Sequence, residues 1–258
     1  MRTLISALLL SWVKVLANLF YRFESGWIGG KIKPDRVRDV RLVIVLNHTS
    51  LFEPIYLGGL PWSFVWALAK GATFPAADIT FNRPILGKFF RFLAPSVVSI
   101  TRNRDDTWTE FLTTCSPESV IMIAPEGRMK RHDGLDKNGQ PMTVRGGVAD
   151  ILAGMTWDGL ILLVYSGGLH HIHAPGQRFP RLFQLARSNF EAIDLQEYRK
   201  SMSLPLAGPG LGFARSDDDA YRAYKKRVVG DLEQRRDLHC PASGAKQTSF
   251  KSLWGHGR

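Results

Sequence analysis

Leu42-Val43-Ile44-Val45-Leu46 runs directly into Asn47-His48-Thr49-Ser50-Leu51-Phe52-Glu53-Pro54, and the reading of this junction decides the fold. A short apolar run rich in β-branched residues is a buried strand. It delivers a histidine and a carboxylate to one edge of a sheet, where a general base and its orienting partner can meet a substrate. The same residues also have a local reading. Ser50-Leu51-Phe52-Glu53 matches a capping box, in which the serine caps a helix and the glutamate reaches back to the serine amide, with Pro54 in the first turn. In that reading Glu53 is structural and His48 belongs to a loop. The two are compatible, because a fixed helix start would hold the carboxylate near the imidazole.

Outward from the junction, residues 64–68, 97–100, 120–123 and 160–165 are further short apolar runs that predict strands. Helices are predicted between them. Leu86, Phe89, Phe90 and Leu93 fall at i, i+3, i+4 and i+7, Asp105 and Asp106 open a helix over 107–114, and Gly146-Gly147 marks a close approach before a helix at 148–153. Ser216-Asp217-Asp218-Asp219 starts a last helix over 221–236, made basic by Lys225, Lys226, Arg227, Arg235 and Arg236. Strands separated by helices predict an α/β fold with a central, largely parallel or mixed sheet flanked by helices.

The 258 residues, 45% of them hydrophobic, suffice for one large domain. Cys115 and Cys240 are too far apart and too differently surrounded for a disulfide framework, which favours a reducing compartment. The net charge of +11 calls for an anionic partner: nucleic acid, anionic lipid or a phosphorylated substrate. The amino terminus favours lipid. Residues 1–23 are dominated by apolar side chains, yet Ser11, Lys14, Asn18 and Arg22 recur at helical spacing. This reads as an amphipathic membrane-associating helix, basic on a narrow face. A cleaved signal peptide, a transmembrane anchor and a core helix compete, although Lys14 and Asn18 interrupt the run before the ~20 residues needed to span a bilayer. The expected organisation is an amphipathic segment at 1–30, a catalytic domain at 31–238 and a basic mobile tail at 239–258. Nucleic acid is not expected as a partner, since the basic residues are not interleaved with an aromatic platform.

Four stretches, in order, carry a resemblance. Residues 48–53 resemble the H-x4-D signature of the glycerolipid acyltransferases, which include the glycerol-3-phosphate and lysophosphatidic acid acyltransferases, with Glu53 in place of aspartate. Residues 97–102 are similar to the second block, which ends in arginine, and Ala124-Pro125-Glu126-Gly127 to the third. Arg145-Gly146-Gly147 is similar to the basic-glycine stretch. The resemblance spans roughly residues 40–170 and implies transfer of a fatty acyl group from an acyl-CoA or acyl carrier protein thioester to a lipid hydroxyl. Such an enzyme would be monotopic, at the cytoplasmic face of a membrane. The chain departs from the pattern at Ser96, where glycine is usual, at Arg128-Met129-Lys130, where threonine, arginine and serine are usual, and at Leu163, near the place of a proline in the fourth block. These departures put the acceptor in doubt, so an ornithine or sugar lipid competes with a lysophospholipid.

The chemistry fits the residues. A neutral imidazole can take the hydroxyl proton, which contributes about 10²–10⁴-fold. His48 is the candidate base, and Glu53 would fix its tautomer and stabilise the imidazolium. The resemblance implies that Arg102, Arg128 and Lys130 hold an acceptor phosphate, and that Glu126 with Gly127 binds the polar backbone of the acceptor. A surface charge, or a cap or ion pair for Glu126, is the plainer reading of each. No G-x-S-x-G elbow supplies a serine nucleophile. His170-His171-Ile172-His173, read as a strand, would put alternate rings on opposite faces, so neither a metal nor another cofactor is expected. A thioester hydrolase and a noncatalytic basic membrane-binding protein remain as alternatives.

Overall fold

In the computed structural model of the chain, the described residues are 2–78, 86–101, 106–203 and 219–246. Seven strands, β1 (Arg22–Ile28), β2 (Val40–Leu46), β3 (Ala72–Ala77), β4 (Ser96–Ile100), β5 (Val120–Ile123), β6 (Leu160–Ser166) and β7 (Leu185–Asp194), form one sheet in the order β1-β7-β6-β2-β5-β3-β4. Only the β6–β7 pair is antiparallel, so the sheet is mixed. The helices are α1 (Arg2–Phe20), α2 (Trp62–Gly71), α3 (Leu86–Leu93), α4 (Asp106–Thr114), α5 (Gly147–Gly154), α6 (Leu195–Ser201) and α7 (Asp219–His239). A 3₁₀ turn, Glu53–Gly59, follows the histidine loop.

The pleat of β2 divides the core. Leu42, Ile44 and Leu46 enter a cluster with Val148 and Ile151 of α5 and Tyr224 and Val228 of α7. Val43 enters the opposite cluster with Leu10 of α1 and Phe64 and Leu68 of α2. Each fully buried side chain of this size contributes about 1.5–3 kcal/mol, so the central strand is fixed in register from both faces.

Residues 64–68, expected as a strand, are helical. Phe64, Val65, Leu68 and Ala69 are buried while Trp62 and Trp66 are exposed, a 3.6-residue period that the short apolar window concealed. The strand in that region is β3, masked in the sequence by Pro75. Only Ala72 and Thr73 pair with β5, whereas the β4 pairing runs from Thr73 to Ala77. Pro75 therefore has a neighbour on one side only, where a missing N–H is tolerated.

Of the polar stripe expected on α1, Lys14 faces inward, Ser11 is half-buried and Asn18 is exposed. Ser6, Lys14 and Ala17 are buried, whereas Leu4, Leu8, Trp12 and Leu19 are exposed, and Arg22 lies in β1 rather than in the helix. The lysine expected at the surface is thus a contact with the rest of the domain, because three backbone carbonyls receive it. The segment 1–30 also supplies an edge strand, β1, paired with β7. At the other end, residues 240–246 pack on the domain: Ser243 meets His171 at 3.2 Å and Gly244 is buried against Leu185. Residues 247–258, including Trp254, lie outside the described residues.

Candidate active site

The carboxyl ends of β2 and β5 lie side by side, with Ile44 opposite Ile123, and the loops that leave them build the site, the usual place for one in an open α/β sheet. His48 follows β2. Its Nδ1 donates to Glu53 Oε2 at 2.7 Å, and the other carboxylate oxygen accepts from the Thr49 amide at 2.9 Å. The expected capping box does not form. Glu53 reaches the Thr49 amide rather than that of Ser50, the 3₁₀ turn has no side-chain cap, and the Ser50 hydroxyl accepts from the Phe52 amide and pairs with His173. The local hydrogen bonds thus set the turn so that the carboxylate faces the imidazole.

This pairing fixes the tautomer: a proton on Nδ1 leaves Nε2 as the acceptor. Burial pushes the His48 pKa down, but the charge and hydrogen bond of Glu53 and the charge of Glu126 outweigh it, and the net direction is upward. The two side chains are 16% and 11% exposed, enough contact with the adjoining cavity to meet a substrate.

Asn47, just before the histidine, ties three segments together. Its amide donates to Glu126 Oε1 at 2.7 Å, its side-chain amide donates to the Ser166 carbonyl at 2.8 Å, and its φ is 64°. Asparagine is one of the few residues with a side chain that tolerates this left-handed backbone. Nothing but that tolerance marked Asn47 in the sequence. Glu126 is 1% exposed, and burial raises its pKa. It faces the β2 loop and is absent from the cavity wall, although Pro125 and Gly127 are part of that wall. Gly127 has a φ of 63°, and a Cβ there would lie 3.3 Å from the Arg145 side chain, so glycine is the residue this turn requires.

The cations expected for a phosphate are differently placed. Arg128 lines the cavity and forms an ion pair with the buried side chain of Asp136. Lys130 reaches Asn47 Oδ1 at 3.4 Å, and its amide donates to the His48 carbonyl at 2.8 Å, which locks the third block to the histidine. Arg102 lies outside the described residues. Sequence reasoning missed Lys225, which lines the cavity and bridges to Asp150 at 2.7 Å. Its partner is 75 residues away in the chain, and only the packing of α7 on α5 brings them together.

The cavity measures about 970 Å³. Its lining groups by chemistry into an apolar lobe, with Leu10, Val43, Leu57, Phe64, Leu68 and Phe74 from the cluster under α1 and α2, and a polar lobe, with Arg128, Arg145 and Lys225 beside Trp108 and Gly147. His48 and Glu53 belong to the same lining. A Cβ at Gly147 would come within 2.9 Å of the Trp108 ring, so the glycine lets α5 approach the indole that walls the polar lobe.

The histidines at 170, 171 and 173 lie in turns rather than a strand. His170 donates to the Lys130 carbonyl at 2.6 Å and His171 to the Leu185 carbonyl at 2.8 Å. Each ring therefore supports a loop, and the described residues contain no group of three His, Cys, Asp or Glu residues suited to a metal.

Residues 31–164 match the acyltransferase family. Among solved structures, the chain is similar to the 1-acyl-sn-glycerophosphate (LPA) acyltransferase PlsC from Thermotoga maritima, with 18% identity over 87% of this chain and 78% of that one and a TM-score of 0.45. Among curated proteins, none matches.

Proposed function

The chain belongs to the acyltransferase family, and from that premise we propose that it moves a fatty acyl group from acyl-CoA or an acyl carrier protein to the hydroxyl of a lysophospholipid or related lipid. The observation that carries the reading is the 2.7 Å contact between His48 Nδ1 and Glu53 Oε2 in a cavity whose lining is partly apolar and partly basic. The apolar lobe suits an acyl chain and the basic lobe an anionic head.

Neutral Nε2 of His48 takes the acceptor hydroxyl proton as the oxygen bonds to the thioester carbonyl carbon. Glu53 stabilises the imidazolium that forms. The tetrahedral intermediate then collapses: the carbon–sulfur bond breaks, the departing sulfur takes the proton from Nε2, and an ester and a thiol result. No acyl-enzyme intermediate and no cofactor are required. Arg128, with Arg145 and Lys225 nearby, would receive the charged part of a substrate. Arg128 and Lys225 are already paired with Asp136 and Asp150, so their net charge is partly spent, and an ornithine or sugar lipid still competes as acceptor. Gly127 would let the loop backbone approach that substrate, Lys130 would support the histidine loop from beneath, and Arg102 is a further candidate for the phosphate.

The enzyme is read as monotopic, at the cytoplasmic face, with the exposed apolar side of α1 in the interface. Among the described residues α1 is the one helix long and apolar enough to cross a membrane, but its inward face is committed to the domain. Exposed Trp62 and Trp66 of α2 suit the same interface, where indoles are favoured.

Incubation of purified protein with labelled acyl-CoA or acyl carrier protein and a panel of lysolipids, followed by mass analysis, tests the proposal. A diacyl product that disappears with His48→Ala is expected. Free fatty acid formed without an acceptor would instead indicate a hydrolase, and vesicle binding without any product a noncatalytic protein.

A further inference from the structure

Lys14 is the one lysine in α1, it is only 4% exposed, and no described carboxylate pairs with it. Its ammonium donates instead to three carbonyls: Leu57 at 2.8 Å, Gly58 at 3.1 Å and Leu60 at 2.5 Å. An ammonium has three donors, so it is fully satisfied. It also lies 5.3 Å from the centre of the Trp62 ring, and Asn18, one helical turn on, donates to the Gly58 carbonyl at 3.4 Å. Burying a cation is costly unless its hydrogen bonds are met in full, and a lysine whose only purpose was contact with lipid headgroups would have stayed at the surface.

The three carbonyls lie at the end of the 3₁₀ turn Glu53–Gly59. The Leu57 carbonyl also accepts the Leu60 amide at 3.2 Å, but carbonyls at the end of such a turn carry partial negative charge, so a cation is the natural cap. Glu53 is the first residue of the same turn. The turn is short and tightly wound, so a shift at its end moves its beginning. One helical turn before Lys14, Leu10 joins Leu57 and Leu60 in the cavity wall. One clamp therefore sets both the carboxylate and the wall of the apolar lobe.

We propose that Lys14 is a positioning residue for acyl transfer: by tying α1 to the turn that begins with Glu53, it holds that carboxylate against His48 and makes the amino-terminal helix part of the active site. This inference rests on the reading of His48 and Glu53 as the reacting pair. Lys14 touches no reacting atom; it acts through the turn. Displacements of about 1 Å at such a pair can cost 10²-fold in rate.

The test is Lys14→Met, which keeps the apolar stem and removes the three donors. Parent, Lys14→Met and His48→Ala are assayed in detergent micelles with labelled acyl-CoA and the panel acceptor that forms product, so that membrane binding does not limit the rate. Lys14→Met should lower kcat at least tenfold, change KM for the thioester less than threefold, and keep its binding to anionic vesicles. The charged groups facing His48 are Glu53 and Glu126. A loosened Glu53 should therefore also move the acid limb of the kcat profile to lower pH, which a purely structural loss of active protein would not do. A folded Lys14→Met protein with the parent's kcat and acid limb overturns the proposal. If Met at this site prevents folding, Lys14→Gln, which keeps two donors without the charge, should show a smaller kcat loss and limb shift in the same directions, and parental values for it overturn the proposal equally. An active His48→Ala would instead overturn the reading of the site; an inactive His48→Ala beside a parental Lys14→Met removes this inference alone.

Discussion

Two long helices cover the opposite faces of the sheet with opposite polarity. In α7, Tyr221, Tyr224, Val228 and Leu232 are buried, while Arg222, Lys226 and Arg227 are turned to water, the ordinary pattern of a surface helix. In α1 the outward side chains are Leu4, Leu8, Trp12, Val15 and Leu19, and the buried set includes a serine and a lysine. Each helix sends one lysine inward: Lys225 meets the Asp150 carboxylate, and Lys14 meets backbone carbonyls alone. The difference teaches that packing on the sheet does not decide what a helix shows on its far side. The helix that shows apolar residues outward also touches the turn carrying Glu53.

Sharpening this comparison starts with its water-facing member. Leu232→Ala in α7 should cost about 2–5 kcal/mol through the cavity it leaves, read as a lowered denaturation midpoint with vesicle binding unchanged. Lys225→Met should come next, toward the lower end of about 3–5 kcal/mol, because it removes the cation paired with the buried Asp150 carboxylate while the Tyr221 hydroxyl, at 2.5 Å, still donates to it. Adding Asp150→Asn should recover part of that loss. In α1, Leu8→Ser with Trp12→Ser should reverse the pattern. Stability in detergent should stay within about 0.5 kcal/mol for such exposed sites, while vesicle affinity falls by roughly tenfold or more, since each side chain contributes up to about 1.5–3 kcal/mol when buried in lipid. Unchanged vesicle binding would remove the distinction drawn between the two helices.

The smallest expected effect concerns pH. In the proposed mechanism turnover needs the neutral His48 ring, whose pKa is raised from 6.5, so activity should rise with pH through a limb above that value. Glu53→Gln removes the main opposition to burial and should move the limb downward, with a smaller loss of kcat than His48→Ala. The stabilising pairing of His48 with Glu53 has the matching sign: it is fully present below about 6.5, the ordinary histidine value, and is lost as pH rises through the raised value.

Much of this was legible in the sequence where chemistry and period coincide. The strand 42–46, the strands at 97–100, 120–123 and 160–165, and the basic helix ending the domain follow from local patterns, and the His48–Glu53 spacing sits within a single loop. What escaped depends on distant partners. Lys14 finds its carbonyls 43 to 46 residues away, and on an apolar helix a lone basic residue reads as surface by default. Glu126 finds the Asn47 amide 79 residues away, a bond no motif announces. The strands β1 and β7 contain serine, asparagine and glutamate: β1 is a largely exposed edge strand and its neighbour β7 is only part-buried over much of its length, so neither shows the continuous apolar run of a strand buried on both faces.

The measurement that tests the account most directly compares diacyl product formation by the parent and His48→Ala on the same vesicles, with fold and vesicle binding checked in parallel. Loss of about 10²–10⁴-fold in rate, with binding intact, is the predicted result. A His48→Ala protein that forms product at the parent's rate would contradict the assignment of His48 as the base.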